Sequence, residues 1–121
     1  MELTVKIAWA LLALAHVLPA LVFFRPEMTS RLYDVAPTGD IGLLLVHRGA
    51  LFAAICAAAI FALFDADARR LASLVLAISV IGFLVVYYRG GAPEGALRTI
   101  ALVDGFALFP LAWVLWSAWR A

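Results

Sequence analysis

A single cysteine, Cys56, stands in 121 residues, so no intrachain disulfide forms and redox chemistry that needs a cysteine pair is excluded. Cys56 sits mid-way through an apolar segment, where a thiol acts as a small buried hydrophobe. Charge is scarce: 14% of residues are charged, against roughly a quarter in a soluble domain. The formal net charge is +1 and no Lys/Arg-rich run exists, so the electrostatic footprint of a nucleic-acid surface is missing. Only two histidines occur, in separate segments, with no HExxH or cysteine pair to make a metal signature. No GxSxG or GxxxxGK motif is present, and the loop GGAPEG is too short and Pro-broken for a nucleotide-binding turn.

What fills the chain instead is hydrophobic sequence, 67% of it. Crossing a bilayer takes about 20 apolar residues. Four runs qualify: Thr4 to Phe24, Ile41 to Phe64, Leu71 to Tyr88, and Thr99 to Trp119. Between them lie RPEMTSRLYDVAPTGD, DADARR and RGGAPEGALR, rich in charge, Pro or Gly. Lys6 followed by an apolar run imitates a signal peptide. The run is too long, however, and ends in Phe23-Phe24-Arg25-Pro26 rather than a small-residue cleavage site, so it reads as a retained span. Backbone in lipid must satisfy its own hydrogen bonds, which makes these spans helices. The expected fold is an all-α bundle of four membrane helices in a single domain, residues 1–121.

An even number of spans puts both ends of the chain on one side, here called A, with the first and third loops on the opposite side, B. Lys6, Arg69, Arg70 and Arg120 lie on side A, and Arg25, Arg31, Arg89 and Arg98 on side B, a tie of four against four. The adjacent pair Arg69-Arg70 in a short loop tips the expectation toward side A being cytoplasmic, and the balance leaves dual topology open. In the first loop Pro26 suits a first helical position. Met28, Leu32 and Val35 then recur at helical spacing, which predicts a short amphipathic helix in the B-side interface; a plain surface turn is the alternative.

Small residues suggest how the spans meet. Ala50, Ala54, Ala58 and Ala62 repeat every four residues, with Gly49, Ala53 and Ala57 beside them, rows that let helices approach closely or that arise by chance in an Ala-rich chain. In the fourth span Phe106, Phe109, Trp113 and Trp116 form a stripe opposite Asp104, facing lipid or a partner subunit. Trp116 and Trp119 suit an aromatic belt on side A, and Tyr87 and Tyr88 one on side B.

The ionisable residues inside the spans gather in the B half. Arg48 is about 10 Å deep and His16 about 12 Å at the helical rise of 1.5 Å per residue. His47 neighbours Arg48, Asp104 lies five residues into the fourth span, and Tyr87 and Tyr88 close the third. A central Arg or Asp costs roughly 2.5–3.5 kcal/mol to insert, so such groups turn inward and pair. An Arg48–Asp104 ion pair is therefore expected, with His47 or His16 hydrogen-bonded to it. Pro19 frees the carbonyl of Ala15, and Pro110 that of Phe106, adding acceptors nearby. Three meanings of the layer stay open: a helix-register device, an Arg48 that snorkels to the headgroups, or a functional pocket open to side B.

The stretch HRGALF early in the second span, the Ala15-His16 pair in the first, and four short spans in about 120 residues resemble the DoxX-like group of small bacterial four-helix membrane proteins. The resemblance covers the whole chain as architecture and implies the bacterial inner membrane. Some members carry the label phosphopantetheine adenylyltransferase. That activity requires an HxGH phosphate site, whereas His47-Arg48-Gly49-Ala50 lacks it, and the activity is rejected here.

Three functions are compatible with this pattern. In the first, the polar layer of His16, His47, Arg48, Tyr87, Tyr88 and Asp104 binds an amphipathic ligand such as a lipid, quinone or isoprenoid. Arg48 then meets an anionic or carbonyl oxygen, a histidine exchanges protons, and Arg25, Arg31, Arg89 and Arg98 gather headgroups at the rim. In the second, the chain is an accessory subunit of a larger membrane complex, docking through Phe106, Phe109, Trp113 and Trp116. In the third, it is a small proton-coupled transporter acting as a homodimer. No cofactor is expected, and the partners are membrane lipids, a larger complex or a second copy.

Overall fold

The computed structural model describes residues 1–120, all-α with no strand among them. Six helices follow in order: α1 (Glu2–Ala15), α2 (Val17–Phe24), α3 (Met28–Tyr33), α4 (Gly39–Phe64), α5 (Arg69–Arg89) and α6 (Ala96–Trp119), with a single 3-10 turn, Ala66–Ala68, between α4 and α5. Three helices, Gly39–Phe64, Ala66–Arg89 with its leading turn, and Ala96–Trp119, are long and apolar enough to cross a membrane. A fourth such unit is the pair α1–α2, bent by 41° at their junction.

The bend falls where the sequence interrupts the helical ladder. Pro19 has no N–H to give the carbonyl of Ala15, and its ring is accommodated only in the first turn of a new helix. His16, at the junction, turns its backbone N–H to the Ala13 carbonyl at 3.1 Å. Its imidazole Nδ1 then takes the Leu12 carbonyl at 2.8 Å. Side chain and main chain together cap α1 at the point where Pro19 forces a restart.

The helices form a closed ring in which α1 packs on α4 and α6, and α5 packs on α4 and α6, leaving α4 and α6 on a diagonal. α2 continues along α4. Gly49 permits this closeness, and Gly42 lets the loop before α4 fold back against the helix. A Cβ on Gly49 would stand 2.6 Å from the backbone N of Phe23, and one on Gly42 would stand 2.5 Å from the Ala36 carbonyl oxygen. The buried small residues of α4 are Gly42, Gly49, Cys56, Ala59 and Ala62. The seam thus starts on a period of seven rather than on the four-residue rows. A four-residue step drifts by about 40° round a helix, a seven-residue step by about 20°, so only the latter keeps facing one neighbour. Ala54 and Ala57 are exposed.

The apolar core fills the A half. It is built from Val5, Trp9 and Leu12 of α1, Cys56, Ala59 and Ala62 of α4, Leu76 and Val80 of α5, and Leu111 and Val114 of α6. At that end the arginines of the α4–α5 turn tie the ring together. Arg69 is buried; its Nε donates to the Ala62 carbonyl at 2.8 Å and its Nη2 to the Leu63 carbonyl at 3.2 Å, closing two acceptors that the end of α4 leaves open. The same Nη2 meets Glu2 Oε1 at 2.8 Å. Arg70 Nε reaches the Ala118 carbonyl at 3.1 Å, and Trp119 Nε1 donates to Ser73 Oγ at 2.9 Å. The start of α1, the α4–α5 turn and the end of α6 therefore lie together at one end.

At the other end α3 touches α2, α4 and α6. The short helix expected in the first loop is present, rotated from the expected face. Thr29 and Tyr33 are its buried residues, while Met28, Leu32 and Val35 are half-buried flanks. Pro26 lies in the turn before the helix instead of at its first position. Asp34, in the left-handed region at φ 57°, ends it.

Candidate functional site

The B half of the ring, below α3, holds the polar groups that lie inside the long helices. Arg48 of α4 points inward and is half-buried. Its guanidinium carbon stands 4.7 Å from the ring centre of Phe52, 5.4 Å from Tyr33 and 5.6 Å from Phe83. Rings from α3, α4 and α5 thus surround one cation, whose charge is drawn to their electron-rich faces. His16 closes the group from the α1–α2 junction, 2% exposed and with its ring 5.7 Å from that of Phe52.

The expected Arg48–Asp104 ion pair is not formed. Among the described residues the ion pairs are Arg25–Glu27, Arg69–Glu2 and Arg98–Glu94. The reason is the ring order: α4 and α6 face each other across the diagonal, and the Arg48 guanidinium is turned to the rings of Tyr33, Phe52 and Phe83. Tyr33 is the residue that feels both charges. Burial pushes its phenol above the usual range, the Arg48 charge opposes this, and the Asp104 charge adds to it.

Asp104, half-buried on α6, instead lines a cavity of about 100 Å³ with Ala15, Leu18, Pro19, Leu32, Thr99, Ile100 and Val103. Its polar side chains are Asp104 and Thr99, and no cationic residue is among them. Ala15 and Val103 also line a wider apolar groove of about 440 Å³ between α1 and α6, whose other walls are Leu11, Leu14, Phe106, Ala107 and Pro110. Cavity and groove share these two residues, so a largely apolar chamber with one carboxylate and one hydroxyl lies directly against an apolar groove on the outer surface.

The remaining expected site residues are dispersed. His47 is exposed, because consecutive helical residues lie about 100° apart and Arg48 takes the inward direction. Tyr87 is buried and its hydroxyl donates to the Pro93 carbonyl at 2.7 Å, pinning the α5–α6 loop. Tyr88 is exposed beside it. The rim arginines Arg25, Arg31, Arg89 and Arg98 are all exposed at the B end, two of them near acidic neighbours. On α6, Phe106, Phe109 and Trp116 face outward; Trp113 departs from that stripe, packing partly into the core with its ring stacked on Trp116 at 5.2 Å.

Tyr33, Phe52 and Phe83 escaped the sequence reading. Phe52 carried a signal, standing four residues after Arg48 on the same helical face. Tyr33 and Phe83 belong to other helices and carried none. Among the described residues no three His, Cys, Asp or Glu side chains cluster as a metal centre would require. No family model matches the chain, and neither a curated protein nor a solved structure was found to be similar to it.

Proposed function

We propose that the chain is an integral membrane protein, a bundle of four spans in which α1–α2 counts as one bent span. In this reading it holds one amphipathic molecule of the lipid, quinone or isoprenoid kind. The membrane setting is supported by the outward apolar surface: only 17, 28 and 22% of the most apolar stretches of α4, α5 and α6 is buried inside the bundle. Leu3, Leu14, Phe64, Leu71, Ile78 and Phe109 are among many large apolar side chains left outside. A DoxX-like membership agrees with this architecture.

The observation that carries the ligand reading is that the Asp104 cavity lies against the α1–α6 groove, with Ala15 and Val103 lining both. A cavity with a carboxylate and a hydroxyl at its polar end suits a head that donates hydrogen bonds, such as an alcohol or a quinol. Apolar walls alone suit the tail. Arg48 is reassigned: boxed by three rings, it organises the layer rather than gripping the ligand's oxygen.

The test is native mass spectrometry of the protein released from nanodiscs, with wild type compared to Asp104→Asn and Val103→Trp. Val103 is exposed and shared by cavity and groove, so tryptophan there obstructs the passage without entering the core. A non-phospholipid amphiphile retained by wild type and lost in both variants is the expected result. Retention of nothing of that kind, or equal retention in all three, overturns the reading.

One observation favours a second function, that of an accessory subunit: the outward stripe Phe106, Phe109 and Trp116 on α6. It predicts that Phe106→Ala with Phe109→Ala releases a co-purifying membrane protein while Asp104→Asn does not.

A further inference from the structure

The α5–α6 edge carries a second pocket and groove, which share no lining residue with the Asp104 cavity and only Phe106 with the α1–α6 groove. At the B end a pocket of about 290 Å³ is lined by Tyr87, Tyr88, Ala92, Glu94, Arg98, Ala101 and Leu102. Directly along α6 lies an apolar groove of about 300 Å³ between α5 and α6, bounded by Leu84, Tyr88, Gly105, Phe106 and Phe109 and sharing Tyr88, Ala101 and Leu102 with the pocket. The floor is made of small residues. A Cβ on Gly105 would meet nothing within 4 Å, so the groove is open there.

The polar end is built for negative charge on two counts. Arg98 projects from the first turn of α6, more than half exposed, and its partner Glu94 is 3.6 Å away and almost fully solvated, so the pair is weak and easily displaced. The cap of α6 is Gly95, which has no side chain to offer the first N–H groups of this 24-residue helix; the Arg98 N–H turns to the Gly95 carbonyl at 3.1 Å. Those N–H groups and the helix dipole favour an anion at the same place. The wall opposite is held still, since the Tyr87 hydroxyl and the Ala92 N–H fasten the loop to α5.

We propose that this pocket and groove bind one anionic phospholipid, the phosphate against Arg98 and the start of α6, and an acyl chain along Gly105 between α5 and α6. Basic pockets between membrane helices recognise anionic headgroups in this manner. Charge complementarity selects the lipid, and the apolar continuation distinguishes it from a soluble anion. Glu94 opposes the phosphate and tunes the affinity downward.

The experiment is competition by native mass spectrometry, with the protein equilibrated in nanodiscs of equal phosphatidylglycerol and phosphatidylcholine. Wild type is expected to retain one phosphatidylglycerol in preference. Arg98→Gln lowers that preference about fivefold, the effect of removing one surface cation near a phosphate. Gly105→Leu, which fills the groove from an open position, removes the retained lipid while Arg98 stays, and Glu94→Gln raises the preference. Helix content by circular dichroism confirms folding of each variant. Equal retention of the two lipids by wild type, or an unchanged preference in both Arg98→Gln and Gly105→Leu, overturns the proposal. The Asp104 site is read separately in the same spectra, because the ligand proposed there is a non-phospholipid amphiphile and its variants leave Arg98 and Gly105 intact.

Discussion

The guanidinium of Arg48 stands over the ring of Phe52, 4.7 Å from its centre and one helical turn along α4, while Asp104 stays out of ion-pair reach. The aromatic faces supply the attraction to the guanidinium that an ion-paired carboxylate would otherwise give. Phe52→Leu should therefore destabilise the bundle by about 1–2 kcal/mol, through loss of a partly desolvated cation–π contact. Asp104→Asn should leave stability nearly unchanged. Unfolding in mixed micelles with increasing dodecyl sulfate measures both. A larger loss for Asp104→Asn than for Phe52→Leu would restore the ion pair as the organising interaction.

Gly49 is where α4 meets the backbone of α2, with Phe23 N 2.6 Å from where its Cβ would be. Gly49→Val should cost about 1–3 kcal/mol through overpacking. Ala57→Val, on the exposed side of the same helix, should cost little. Comparison of the two melting curves by circular dichroism checks the seven-residue seam. Equal losses would return the four-residue rows to consideration.

Arg69 is bonded to two carbonyls at the end of α4, and Glu2 is bonded to Arg69 alone. Removing the arginine strands buried acceptors, whereas removing the carboxylate leaves the arginine its carbonyls. Arg69→Met should thus lose about 1.5–3 kcal/mol for each charged hydrogen bond broken, and Glu2→Gln should be close to neutral because Glu2 is solvated. Dodecyl sulfate titration of the two variants separates these outcomes, and comparable losses would show that the ion pair, not the capping, holds this end.

Much of the architecture was legible because it follows from one requirement, that a chain with so few charges hide its backbone polar groups in helices. The breaks at RPEMTSRLYDVAPTGD, DADARR and RGGAPEGALR fell where the helices end, within a few residues. Pro19 announced an interrupted ladder beside His16, and the structure bends there. Depth was legible as well, since the rise per residue places Arg48, His16 and Asp104 in one half. Azimuth and neighbour order were not. Which of His47 and Arg48 turns inward, and whether α4 faces α6 or α5, depends on packing between distant segments. The ion pair failed on that point, since Arg48 and Asp104 sit on helices that face each other across the diagonal. The arginines of the α4–α5 turn were read for their charge, and their hydrogen bonding to carbonyls was missed because backbone acceptors have no letter in a sequence.

The fastening at the A end also has a bearing on how the chain is made. The α4–α5 hairpin emerges in the middle of synthesis, and its turn carries both anchors: Arg69 for the start of α1, already made, and Arg70 for the last turn of α6, still to come. The hairpin acts as a keel. The end of α4 is closed as soon as Arg69 is in place, and the final helix is secured only when Ala118 reaches Arg70. A nascent chain stopped before that residue has most of α6 in hand but lacks the contact that ties its last turn to Arg70, and the Asp104 chamber, one wall of which is α6, goes without that mooring.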